Sequence, residues 1–185
     1  MSQRESPLLD RERIAEAFGR LGDRLARRGV IADVYVIGGA AMALAYDARR
    51  ATRDIDAVFH PHGAVLEAAQ EVAHELGLPP WWLNEQASVY VAPGGDGAAP
   101  RVFDHPGLRV LAASPEHLLA MKTLAARKQD VEDIRFLIGK IGLASARDVL
   151  SICAEVFPGE TVPARALLLL EDLFSPDGDD LTEDL

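Results

Sequence analysis

The feature that most constrains the fold is a short apolar segment that runs directly into two adjacent glycines. Residues 33–37 read DVYVI, Gly38 and Gly39 follow, and the next seven residues, AAMALAY, favour a helix. A glycine pair lets the backbone turn tightly and lets other groups approach it closely. The pattern predicts a strand, a tight turn and a helix. Such a unit can be a plain connection, or it can present backbone N–H groups to an anion.

A second predicted strand, DIDAVF, carries two acids, Asp54 and Asp56, on either side of Ile55. Because successive side chains on a strand point to opposite faces, we expect both carboxylates on one face, about 6–7 Å apart along the chain. Mg²⁺ takes oxygen ligands and prefers a few carboxylates completed by substrate phosphates. The pair is therefore a candidate metal site, although a solvated strand edge or a helix cap would also accommodate two such acids.

The rest of the chain changes from mixed to purely helical character. A first helix is expected from Asp10 to Arg28, and strands are expected at ASVYV and LRVLAA. From Ser114 onward, apolar residues recur three and four positions apart, which indicates helices to the end. The predicted fold class is α+β (α/β), a small mixed-sheet core with a C-terminal helical half. The expected domains are the core at 1–113, the helical half at 114–174 and an acidic, disordered tail at 175–185.

Composition limits the location and the partners. The 185 residues carry a formal charge of −10, which argues against a surface that binds nucleic acid over its whole area. Cys153 is the single cysteine, so neither an intrachain disulfide nor a cysteine zinc cluster is expected. No apolar run approaches the roughly 20 residues of a membrane span, and the first residues lack the apolar core of a signal peptide. The expected location is the cytoplasm, with no membrane partner.

Two blocks of the sequence resemble a known family. Residues 37–59, IGGAAMALAYDARRATRDIDAVF, resemble the signature of the AbiEii-like and MenT-like nucleotidyltransferases of the DNA polymerase β superfamily, in which a Gly-Gly or Gly-Ser turn precedes an acid pair. Residues 114–137, SPEHLLAMKTLAARKQDVEDIRFL, are similar to the lysine-bearing helix of that family and its later acids. Residues 81–86, WWLNEQ, resemble less specifically a segment between the blocks. The resemblance spans residues 34–138 and implies a nucleotidyltransferase fold.

The resemblance also implies roles for individual residues. Lys122 would contact nucleotide phosphates, while Asp130 and Asp133 could orient Lys122 or Arg127, contact the substrate, or cap the next helix. The metal ligands would be Asp54 and Asp56. The catalytic residues would be Asp54, Asp56, Lys122 and Asp133, and the nucleotide-binding residues would be Gly38, Gly39, Thr52, Arg53 and Lys122.

One part of the superfamily pattern is not matched clearly. Many polymerase β-type sites have a third carboxylate on a later strand, which helps bind the metal or activates the attacking hydroxyl. Asp104 and Glu85 are the candidates for this role. Asp104 precedes His105 and Pro106 and could equally be a turn residue.

The reaction that the resemblance implies is a Mg²⁺-dependent transfer of a nucleoside monophosphate from a nucleoside triphosphate to a macromolecule. The chain would be the toxin of a bacterial toxin–antitoxin pair, acting on tRNA and bound by its cognate antitoxin. A basic strip formed by loop and first-helix arginines would hold RNA phosphates. Its predicted members are Arg24, Arg27, Arg28, Arg49, Arg50 and Arg53. Two alternatives stay open: an antitoxin-type enzyme that adenylylates a partner protein, including a toxin, and a non-catalytic module that binds a nucleotide or a partner.

Overall fold

A computed structural model describes residues 8–47, 50–86 and 88–175. The chain divides into two compact units, the first comprising Met1–Val91 with Gly97–Ala113 and the second comprising Ala92–Asp96 with Ser114–Leu185. Arg49 and all of the predicted acidic tail except Ser175 lie outside the described residues.

The first unit is built on a five-stranded mixed sheet with the strand order β3-β2-β1-β5-β4. The central strand β1 is antiparallel to β2 and parallel to β5, while β2 and β3 are parallel and β4 and β5 are antiparallel. This mixed sheet, together with the helices, confirms the predicted α+β class. The strands are β1 Ala32–Val36, β2 Ile55–His60, β3 Leu83–Asn84, β4 Arg101–His105 and β5 Leu108–Ala112.

The helices of this unit follow the local signals in the sequence. Helix α1 is capped by Asp10, whose carboxylate accepts the backbone N–H of Arg13 at 2.9 Å. Helix α2 begins at the glycine pair and continues into a π-helical turn. Helix α3 ends at Gly77 in the left-handed conformation. The bounds are α1 Arg11–Arg27, α2 Gly38–Ala41, the π-helical turn Met42–Tyr46 and α3 His62–Leu76.

The core of the first unit contains the apolar stripe of α1 and one tryptophan. Ile14, Phe18, Leu21 and Leu25 are all fully buried, as their spacing predicts. Trp82 is also fully buried, and its indole N–H donates to the carbonyl of Ala69 on α3 at 2.9 Å. That hydrogen bond satisfies the indole's polar atom, which allows the whole ring to contribute to the core.

Two segments differ from the sequence prediction. The predicted strand ASVYV is wrong for residues 88–90, which form a 3₁₀ turn, and Val89 there is 79% exposed. The alternating pattern of ASVYV therefore does not correspond to a half-buried strand. Conversely, residues 101–105 form the strand β4, which the sequence analysis did not predict. Asp104 lies within this strand, opposite Arg109, and not in a turn.

Between residues 92 and 175, the second unit contains four helices, and its first helix begins as the sequence predicts. The hydroxyl of Ser114 accepts the backbone N–H of His117, and Pro115 occupies the first helical position. Asp96, from the short segment of this unit, accepts the backbone N–H of Ser114 at 2.7 Å. The helices are α4 Pro115–Ala125, α5 Val131–Ile141, α6 Ala146–Val156 and α7 Ala164–Leu173, with a 3₁₀ turn at Lys128–Asp130.

Cys153 on α6 is buried, and this burial raises the pKa of its thiol to about 11, which keeps it protonated at neutral pH.

Among the residues that the structure describes, no helix combines the length and the apolar character needed to cross a bilayer.

Candidate active site

The glycine turn and the acid pair lie side by side in the first unit. Strands β1 and β2 pair antiparallel, so the residue before the turn meets the strand of the acids, and the N–H of Ile37 donates to the carbonyl of Asp56 at 2.9 Å. A Cβ atom placed on Gly38 would lie 3.6 Å from Oδ2 of Asp56. The carboxylate of Asp56 therefore lies close enough to the turn that a side chain at Gly38 would touch it.

Each of the two glycines is required for a separate reason. Gly38 has φ of +65°, a backbone conformation that costs a residue with a Cβ about 1–2 kcal/mol. Gly39 has an ordinary φ, but a Cβ there would lie 3.1 Å from Oγ1 of Thr52, which is tighter than normal packing. The turn thus requires glycine at the first position because of conformation and at the second because of space.

We expect Gly38→Ala to lower the free energy of unfolding by about 1–2 kcal/mol, because alanine is strained at this φ. Gly19→Ala, inside α1 and with no atom within 4 Å of the added Cβ, is the matched control. It should instead raise stability by about 0.5–1 kcal/mol, since glycine is a poor helix former. Urea unfolding of both variants measures the difference, and equal stability of Gly38→Ala and the parent would contradict the prediction.

The acids occupy the start of β2 on the side away from the core. Ile55, Ala57 and Phe59 are buried, whereas Asp54 and Asp56 are only partly buried. This alternation places the two carboxylates on the face opposite the apolar one, as expected for a strand. Asp54 itself lies one residue before the strand begins.

Thr52 shapes the loop that leads into the acid pair. Its hydroxyl donates to the backbone carbonyl of Asp54 at 3.0 Å. Its backbone forms two hydrogen bonds with Leu9, at 2.7 and 2.9 Å, and the Leu9 side chain is fully buried. The next residue, Arg53, is exposed. The role of Thr52 and Arg53 in binding a nucleotide stays a prediction.

Asn84, which the sequence analysis did not select, contacts the acid pair directly. It lies on β3 opposite Asp56, and its amide nitrogen donates to Oδ2 of Asp54 at 3.2 Å. Only 9% of the residue is exposed. The signals in the sequence are a polar residue after an aromatic and apolar run and the less specific family resemblance of WWLNEQ.

The two candidates for a third carboxylate are placed differently from each other. Strands β1 and β5 separate β2 from β4, and Asp104 on β4 is exposed and paired with Arg101 at 3.1 Å. Asp104 therefore does not adjoin the acid pair. Glu85 follows Asn84, and its carboxylate pairs with Nε2 of His62 at 2.5 Å. Within residues 8–47, 50–86 and 88–175, no three or more His, Cys, Asp or Glu side chains are grouped as metal ligands.

Lys122, in the second unit, lies between two carboxylates. Its ammonium group donates to Oδ1 of Asp130 at 2.7 Å and is 2.9 Å from Oδ2 of Asp133. Only 7% of the lysine side chain is exposed. Of the roles considered for the two acids, the structure shows that both contact Lys122, and Asp130 makes no side-chain cap on α5. A contact between Lys122 and nucleotide phosphates, and a catalytic role for Asp133, stay predictions.

Two arginines of the predicted basic strip, Arg24 and Arg28, are paired with acids, and the role of the strip stays a prediction. Arg24 pairs with Glu71 at 3.1 Å and also with Glu75, and Arg28 pairs with Glu71 at 2.6 Å. The hydrogen bond from Arg24 holds the pKa of the Glu75 carboxyl below its ordinary value. These acids come from α3, 43 or more positions along the chain, so the sequence of α1 alone could not reveal them.

In the predicted loop part of the strip, Arg50 lies 3.5 Å from the carboxylate of Asp47. Acidic neighbours therefore reduce the positive charge that Arg24, Arg28 and Arg50 offer to an RNA backbone. Arg27 and Arg53 are exposed.

Comparison with known proteins identifies the family of the chain. No curated protein matches the sequence. A crystal structure of an antigenic nucleotidyltransferase-like protein from Paracoccidioides brasiliensis is similar, with 17% identity and a TM-score of 0.46 over 80% of this chain and 89% of that one. The family described as "Nucleotidyltransferase of unknown function (DUF6036)" matches residues 16–148, a range that contains the glycine turn, the acid pair, Asn84 and Lys122. The chain therefore belongs to this family of nucleotidyltransferases.

Proposed function

We propose that this chain transfers a nucleoside monophosphate from a nucleoside triphosphate to a macromolecular acceptor, with Mg²⁺ held by Asp54 and Asp56. The observation that carries the proposal is the carboxylate of Asp56 against the glycine turn, where a Cβ on Gly38 would approach its Oδ2 to 3.6 Å. Asp54 lies two residues earlier on the same face. A turn without side chains leaves room for a polyphosphate next to the acids.

The residues present suit Mg²⁺. This ion binds proteins through one or two carboxylates and completes its octahedral shell with waters and substrate phosphates. Two aspartates fit that pattern better than a closed protein cage. When bound, the cation would supply positive charge to phosphoryl oxygens. The chain itself supplies the rest of the support, because Thr52 holds the backbone of Asp54 and Asn84 holds its side chain.

We propose more specifically that the acceptor is tRNA and that the chain is the toxin of a toxin–antitoxin pair, with its cognate antitoxin as partner. The resemblance of residues 34–138 to the AbiEii-like and MenT-like enzymes supports it. Exposed Arg27 and Arg53 would meet RNA phosphates. The second candidate keeps the nucleotide and changes the acceptor to a protein hydroxyl. It is favoured by the ion pairs that Glu71 and Glu75 form with the α1 arginines, together with the net charge of −10.

The test is an incubation of the full chain with each α-labelled nucleoside triphosphate, Mg²⁺ and either total tRNA or cell lysate. We expect label on tRNA that disappears with EDTA and with the Asp54→Asn, Asp56→Asn double variant. Label on a protein band without labelled tRNA would replace the RNA proposal by the protein-modifying one. Absence of label from every acceptor, together with no Mg²⁺-dependent nucleotide binding, would overturn the proposed function.

A further inference from the structure

The amide side chain of Asn84 lies directly against the acid pair. We propose that Asn84 is a positioning residue, which holds the carboxylate of Asp54 in the orientation that binds the cation. The inference rests on the proposed function, because it assigns Asn84 a task in the same metal site. Three features of the first unit carry it: the fixed orientation of the amide, the hydrogen bonds and burial that anchor the strand beneath it, and the amide's lack of charge.

The orientation of the Asn84 amide follows from its hydrogen bonds. Its Oδ1 accepts the backbone N–H of Gln86 at 2.9 Å. A backbone N–H can only donate, so this contact requires the oxygen, and the nitrogen must point the other way. That nitrogen faces Oδ2 of Asp54 at 3.2 Å and the carbonyl of Trp81 at 3.4 Å. Both ends of the amide are therefore in use, and a flipped amide would place a donor against a donor at Gln86.

The backbone beneath Asn84 is anchored in the sheet and the core. Strand β3 runs parallel to β2, with Ile55 opposite Leu83 and Asp56 opposite Asn84. The N–H of Ile55 donates to the carbonyl of Trp82 at 2.6 Å, and the Trp82 ring is fully buried. Asn84 therefore projects from a strand whose preceding residues, Trp82 and Leu83, have buried side chains. A donor on such a support can restrict the rotation of a carboxylate.

The neutrality of the amide matters for a metal ligand. A lysine or arginine at this place would neutralise Asp54 and compete with a cation for it, whereas an amide N–H orients the carboxylate and leaves its negative charge in place. Hydrogen bonds of this kind to metal-ligating carboxylates commonly tune metal affinity by about 10- to 100-fold. Thr52 fixes the backbone of the same aspartate, so Asp54 is held at two points by groups without charge.

The experiment measures Mn²⁺ bound to the full chain in the presence of a non-hydrolysable nucleoside triphosphate analogue, from the electron paramagnetic resonance signal of free Mn²⁺. We expect Asn84→Ala to weaken Mn²⁺ affinity by about 10- to 100-fold. Gln86→Ala is the matched control, because that side chain is exposed and the variant keeps the backbone N–H that Asn84 uses. Its affinity should equal that of the parent.

A purely structural role for Asn84 would change the fraction of folded molecules and leave the affinity of that fraction unaltered, so urea unfolding is measured alongside. If Asn84→Ala does not fold, Asn84→Ser serves instead, since its shorter side chain cannot span Gln86 and Asp54 and should also weaken binding. Parent-like affinity in the folded Asn84 variant would overturn this inference alone. If the parent takes up no more Mn²⁺ than the Asp54→Asn, Asp56→Asn double variant, the proposed function fails and this inference fails with it.

Discussion

Asp54→Asn and Asp56→Asn should each reduce nucleotide transfer by about 10³-fold or more while the fold persists. Removing a single neutral donor from an active site costs about 10²–10³-fold in rate, and loss of a charged metal ligand should cost at least as much. Folding should change little. An asparagine at position 54 still offers an oxygen that can accept from Asn84, and each substitution removes one of two neighbouring negative charges.

The measurement is transfer of label from the triphosphate to the acceptor, with circular dichroism and urea unfolding on the same samples. Calorimetric titration with Mg²⁺ and nucleotide then shows whether the loss lies in binding. If both variants bind Mg²⁺ and nucleotide as the parent does, the acid pair is not the metal site.

Asp104→Asn provides the matched control for this pair. It removes one carboxylate from the same sheet, but at a position that β1 and β5 separate from β2 and that is exposed and paired with Arg101. We expect transfer to stay within about twofold of the parent, because a distant, exposed charge pair contributes little. A large loss in Asp104→Asn would instead revive it as the third carboxylate.

The parts of this molecule that its sequence predicts well are those determined by neighbouring residues. The Asp10 cap, the Ser114 and Pro115 helix start and the turn at Gly38 and Gly39 each depend on interactions within a few positions. The acid pair belongs to the same class, because strand alternation alone determines which face the two side chains share. These local rules indicate the helix starts, the turn and the face shared by the acid pair, whereas the choice of Lys122 depends on the resemblance of residues 114–137 to a known family.

The parts that sequence did not predict depend on contacts between distant residues. Asn84 reaches Asp54 across 30 positions because β3 pairs with β2, and nothing within WWLNEQ specifies that pairing. Arg24 and Arg28 are paired with Glu71 and Glu75, which α3 supplies from a distant part of the sequence. Strand β4 is an edge strand with an irregular register, and none of its residues is fully buried, whereas β1 alternates between buried and more exposed residues.

For Lys122, the structure adds to the expectation that the sequence suggests. The sequence suggests an ammonium that contacts phosphates, whose loss would weaken nucleotide binding more than folding. The structure places this ammonium 2.7 Å from Asp130 and 2.9 Å from Asp133, with 7% of the lysine side chain exposed. A lysine held in this way also contributes to the packing of the second unit.

We therefore expect Lys122→Ala to lower the free energy of unfolding by about 3–5 kcal/mol. Breaking a buried ion pair is costly because it leaves charge without compensation, and here it leaves two neighbouring carboxylates that are only 11% and 14% exposed. Since small proteins are stable by only about 5–15 kcal/mol, this is a large fraction of the total. Lys128→Ala is the control, because Lys128 is exposed and its loss should cost less than about 0.5 kcal/mol.

A triple variant, Lys122→Met with Asp130→Asn and Asp133→Asn, separates the role of Lys122 in folding from its predicted role with nucleotides. Removing all three charges together leaves no buried charge without a partner, so part of the loss seen in Lys122→Ala should be recovered. Urea unfolding tests this, and a Lys122→Ala variant as stable as Lys128→Ala would contradict the buried network. The nucleotide affinity of the folded triple variant then tests the predicted contact with nucleotide phosphates. Parent-like affinity would confine Lys122 to folding, whereas a weakened affinity in a stable protein would mean that the charged cluster of Lys122, Asp130 and Asp133 also serves the triphosphate.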